Sequence, residues 1–117
     1  MTAISGTTIT SYDTLMWPAQ LKQFTKRNAG RHATLEVDGT AVGSLVQVIR
    51  FPFVGADYDR KDGRVEILLG DFAGTDRHFS RSIPNPDSVS VLKGPDLKDD
   101  VLCISYGDGQ TLLRFTT

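Results

Sequence analysis

A chain of 117 residues is of single-domain size and should bury roughly two thirds of the surface that its unfolded form exposes. Its 13 basic and 14 acidic residues nearly cancel, which leaves no whole-molecule field to steer nucleic acid or an anionic membrane toward it. Cys103 is the sole cysteine, so an internal disulfide is excluded and a reducing compartment is the easier assumption.

In chain order, residues 1–11 are Thr- and Ser-rich with little to bury, which suits a flexible arm or a short edge strand. This start has neither a basic region nor an apolar one of leader type, and no apolar run is long enough to span a bilayer, so the expectation is a cytoplasmic protein with no membrane contact. From Tyr12 to Ala29 the pattern becomes helical, with Trp17, Leu21 and Phe24 on one side. Pro18 suits the first turn, where its missing N–H is not needed. Lys22, Lys26 and Arg27 take the wet side and the last turn, and Gly30 offers a left-handed stop.

Strand patterns follow. Ala33 to Val37 and Ser44 to Phe51 should pair across the Asp38-Gly39 turn signal, with Pro52 ending the second run. Phe53 to Gly70 reads as a second hairpin around a charged turn ending at Gly63; Val65, Ile67 and Leu69 share one face, Arg64 and Glu66 the other. His78 to Ile83, Ser88 to Leu92, and a last hairpin of Val101 to Tyr106 with Thr111 to Phe115 complete the set. The Pro84-Asn85-Pro86-Asp87 segment interrupts regular pairing because two of its residues lack donors. No linker or repeat divides the chain. The expected architecture is one α+β domain over residues 1–117, with an N-terminal helix packed on a curled, mainly antiparallel sheet or partly closed barrel of about seven strands.

Twelve of the acids are Asp, whose short side chain suits turns and caps. Asp57, Asp59 and Asp62-Gly63 invite a calcium reading, but an EF-hand loop starting at Asp57 needs different residues where this chain has Lys61, Asp62 and Leu68. An acidic hairpin tip is the better account, and no metal site or cofactor is expected. His32 and His78 lack a second His or a Cys at ligand spacing. His78, with Asp71 and Asp76 before it and Arg77 and Arg81 beside it, is the strongest single candidate; it is expected to be structural, with an anion pocket as the alternative. No serine occupies a nucleophile elbow, and Cys103, alternating with Val101, is expected to be a buried small hydrophobe, so no catalytic residue is assigned. Lys22, Lys26, Arg27 and Arg31, with His32, form the strongest basic patch. Cations near a helix C-terminus complement its dipole, and aromatic residues for base stacking are absent there.

The order of features resembles a family of small bacterial proteins known only as a domain of unknown function. The likeness spans about residues 17 to 116. It is carried by Trp17 and Phe24-Thr25-x-Arg27-x-x-Gly30, Glu36-Val37-Asp38-Gly39, Asp57-Tyr58-Asp59 leading into Arg64-Val65-Glu66-Ile67, His78 with Ile83-Pro84-Asn85-Pro86, and Asp108-Gly109 with Leu112-Leu113-Arg114-Phe115. Pro18 departs from that pattern. The resemblance implies no activity.

The expected function is therefore a non-enzymatic binding or interaction domain, with a homodimer joined through an exposed strand or the helix face. One alternative is a ligand pocket between Trp17, Phe24 and the sheet, with Arg77, His78 or Arg81 at its rim. The other is weak nucleic-acid binding through the basic patch.

Overall fold

The helix forms where the apolar spacing places it. In the computed structural model, which describes residues 7–40, 43–70 and 78–116, α1 spans Trp17–Asn28 with Pro18 in its first turn. A short 3-10 turn, Thr14–Met16, leads into it, and Asp13 Oδ1 accepts from the Leu15 N–H at 3.0 Å. Trp17, Leu21, Phe24 and Asn28 form the buried side of α1, as three of the four were expected to. Gly30 takes a φ of 91° just beyond the helix, a left-handed turn open to glycine at no steric cost.

Among the described residues eight strands complete the fold: β1 (Thr8–Ser11), β2 (His32–Gly39), β3 (Gly43–Asp59), β4 (Arg64–Gly70), β5 (His78–Pro84), β6 (Ser88–Lys93), β7 (Asp99–Tyr106) and β8 (Gly109–Phe115). They run in the order β1-β6-β7-β8-β2-β3-β4-β5, with every neighbour antiparallel. β1 and β5 stand at opposite ends, so the sheet is not a closed barrel. The extra strand relative to the sequence reading is β1, which pairs with β6 from Thr8 to Ser11; those residues are an edge strand rather than a free arm.

β3 corrects a second expectation. Pro52 does not end it, because the chain runs straight on and changes partners there. Residues 43–52 pair with β2, and Phe53 to Asp59 pair with β4. The Phe53 N–H donates to the Arg31 carbonyl at 2.7 Å, on the β2 side. Alternation therefore points the donorless nitrogen of Pro52 to the opposite edge, which the β4 ladder reaches only from Phe53 onward.

The core lies between the helix and the inner faces of this bent sheet. Val65, Ile67 and Leu69 are buried as their period required, together with Leu35, Phe53, Ile83, Val89 and Val91. Phe24, Phe53 and Phe115 form a triad with centroids 5.6 to 5.7 Å apart, and Trp17 meets Tyr58 edge-on at 5.1 Å. In β7 the sequence phase is reversed: Leu102 and Ile104 enter the core, while Val101 and Cys103 take the other face. Cys103 is half-buried and its thiol donates to Gln110 Oε1 at 3.3 Å, so it is not the core hydrophobe expected of it.

Candidate functional site

The two halves of β3 meet different fates at their edges. In the second half the helix takes the place of a strand. Thr25 Oγ1 donates to the Ala56 carbonyl and accepts from the Ala56 N–H, both at 3.0 Å, which satisfies the two groups a neighbouring strand would have used. Gly55 permits this approach, since a Cβ there would lie 3.2 Å from Thr25 Cγ2.

The first half has no such cover. From Ser44 to Arg50 one edge pairs with β2, and among the described residues no strand pairs with the other. Two register shifts leave Gln47, Ile49 and Arg50 without an opposite residue on β2, and Arg50 takes a φ of 56°. These bulges break the simple inward and outward alternation. Leu45, Val46 and Ile49 are consequently 49%, 54% and 64% exposed on a stretch whose only charge is Arg50. At the other end of this edge Ser44 Oγ donates to Glu36 Oε2 at 3.0 Å, and Glu36 Oε1 lies 3.6 Å from Arg114 Nε.

A second surface lies at the end of α1. Its centre is Asp99, whose side chain is 3% exposed. Opposite β6, Leu92 pairs with Val101 and Lys93 with Asp99, so Asp100 is the extra residue of a bulge that swings Asp99 toward the helix. Asp99 Oδ2 accepts from Arg27 Nε at 2.9 Å and from Asn28 Nδ2 at 2.7 Å. Asn28 Nδ2 also donates to the Phe24 carbonyl at 2.9 Å. Arg31 donates to Asn28 Oδ1 and to the Asp99 carbonyl, both at 2.8 Å, and its guanidinium sits 4.3 Å over the Phe115 ring. Lys93 Nζ stands 4.0 Å from Asp99 Oδ1, an oxygen that accepts no hydrogen bond. Partial burial works against the Arg27 charge, but its hydrogen bonds to Asp99 and Tyr12 outweigh it and raise the Arg27 pKa. Burial raises the Tyr12 phenol pKa despite the opposing contact with Arg27. Arg27, Arg31, Lys93 and Lys98 line a cleft of about 480 Å³ with Asn28 and Asp99; no Ser, Thr, Cys or His lines it.

The residues singled out in the sequence are thus dispersed. Arg27 and Arg31 meet at the cleft, but Lys22 and Lys26 line a separate groove with Pro18, Ala19 and Asp57. Trp17 is a core residue whose Nε1 donates to the Tyr12 carbonyl at 3.1 Å, and it and Phe24 are both buried in the packing between helix and sheet. Arg81 donates to the Tyr106 hydroxyl at 3.1 Å, which itself bonds Thr111 Oγ1 at 2.9 Å. His78 is exposed at the start of β5, opposite Gly70, and does not point into the core as a structural His would. Arg77, Asp71 and Asp76 lie outside the described residues. At the acidic tip, Asp59 Oδ1 accepts from the Lys61 N–H at 2.9 Å, the turn role expected of a short carboxylate. Asn28, Lys93, Lys98 and Asp99 have no signal in the sequence, because an amide at a helix end, a loop acid and isolated lysines carry no pattern of their own.

The family assignment follows from the extent of the match. A model of a family of unknown function (DUF5335) covers residues 11–116, from β1's last residue to one residue past the end of β8. The chain belongs to this family. The matched span contains both the exposed half of β3 and the helix-end cleft. No curated protein and no solved structure matches the chain.

Proposed function

We propose that this protein is a non-enzymatic interaction domain that associates with a second copy of itself through Ser44 to Arg50 of β3. The observation that carries the reading is the contrast within one strand. The second half has its edge closed by Thr25, whereas the first half presents Leu45, Val46 and Ile49 to solvent without the lysines, acids or prolines that usually blunt an edge. The ends of this stretch complement each other. An antiparallel arrangement about a twofold axis at Gln47 sets Leu45 opposite Ile49 and Val46 opposite Val48, and brings Arg50 to the Ser44 and Glu36 end of the partner. A parallel arrangement would set like ends together.

Sedimentation of the whole protein tests this. The wild type is expected to run as a dimer, and Val46→Lys or Ile49→Lys as a folded monomer, since each places a charge in the apolar contact. A monomeric wild type, or a lysine variant that remains dimeric, would overturn the reading.

A further inference from the structure

We infer that the cleft between the last turn of α1 and the β6–β7 connection binds the oxyanion group of a small molecule, a phosphate or a carboxylate. The inference is independent of the strand edge. Four cationic side chains line this cleft against one carboxylate, leaving an excess of positive charge that Asp99 alone does not neutralise. Asp96, on the same connection, is engaged with its own turn, accepting from the Lys98 N–H at 3.1 Å.

The arrangement is prepared before any ligand arrives. Asp99 and Asn28 hold Arg27 and Arg31 by direct bonds, and the Arg31 guanidinium rests 4.3 Å from the Phe115 ring centre, so an incoming anion need not order those two side chains. The Arg27 side chain remains 44% exposed, and Arg27 and Arg31 retain N–H groups beyond those bonded to Asp99. Lys93, which stands 4.0 Å from Asp99 Oδ1, and Lys98 add two further cations to the lining. Buried Asp99 thereby acts as a positioning residue: it draws the arginines to one place, and its single charge cannot neutralise all four cations. The cleft size suits one compact group rather than an extended strand, and none of its lining residues is aromatic; the Phe115 ring beside it is already covered by Arg31.

Inorganic phosphate and malonate are suitable probes, read by calorimetry and by the shift in melting temperature at fixed ionic strength. Both are expected to bind the wild type, and the ratio of their affinities tells a phosphate site from a carboxylate site. Lys98→Ala should weaken the better probe several-fold, and the Lys93→Ala/Lys98→Ala pair roughly tenfold or more. Lys98 is exposed, so the single variant keeps the test valid if loss of Lys93 perturbs Asp99. A Lys22→Ala/Lys26→Ala variant, altered at the neighbouring groove, should bind as the wild type does. The inference is overturned by no binding of either probe, by equal losses in the two double variants, or by a single-stranded oligonucleotide that binds more tightly than either probe and with a steep salt dependence.

Discussion

Asp99→Ala removes the residue that ties the helix end to β7, and its cost can be worked from the contacts. Two hydrogen bonds to Oδ2 disappear, from Arg27 at 2.9 Å and from Asn28 at 2.7 Å. A buried charge-assisted pair broken at one partner costs about 3 to 5 kcal/mol. That figure must be discounted here, because the Arg27 side chain is 44% exposed and regains water when its partner is lost. Asn28 has no such recourse: it is buried, keeps one bond to the Phe24 carbonyl, and loses the other, at roughly 1 to 2 kcal/mol for the unpaired N–H. With up to about 1 kcal/mol retained for the Arg27 pair, the expected loss is about 1 to 3 kcal/mol. Urea unfolding followed by tryptophan fluorescence measures it, since Trp17 is buried on the same helix, and an unchanged slope would show that the unfolded state is not what moved. A loss below about 0.5 kcal/mol, the size of an ordinary surface change, would show that Asp99 does not anchor the helix.

Phe24→Ala empties the centre of the aromatic triad and should cost about 3 to 5 kcal/mol; an unchanged melting temperature would show the helix packed elsewhere. The raised phenol pKa of Tyr12 adds stability that is fully present below the unfolded value of about 10 and is lost as pH rises through the folded one. Tyr12→Phe should therefore fall off less steeply than the wild type in alkaline unfolding curves, and parallel curves would contradict the assignment.

The helix and most strands were legible because each repeats its pattern over several turns or pleats. Trp17, Leu21 and Phe24 announce a helix face, and Val65, Ile67 and Leu69 a strand face, before any tertiary contact is known. What escaped notice depends on features without a period. Pro52 reads locally as a stop, and only the exchange of partners from β2 to β4 explains how the strand runs through it. Val101, two residues before Cys103, looks like a core residue and suggests the wrong face for the thiol, yet the pairs Leu102↔Leu113 and Val91↔Leu102 set the phase. Asp99 reaches the helix through a bulge that no residue type in Gly94 to Asp100 announces. Half of the basic patch was found from the helix alone, while Lys93 and Lys98 arrive from a connection about 70 residues away along the chain. The exposed apolar half of β3 was visible as an apolar run, but its open edge was not, because edges are a property of the strand order.

The most direct test of self-association is a cross-link at the proposed twofold axis. In a Cys103→Ser background, Gln47→Cys places one thiol per copy where the two strands cross, so mild oxidation should join the copies through a disulfide. Asp57→Cys, on the half of β3 whose edge the helix closes, should form no disulfide-linked dimer under the same treatment. Rapid, near-complete cross-linking at position 47 with none at 57 is the result the account predicts. Equal cross-linking at both positions, or none at either, would contradict it.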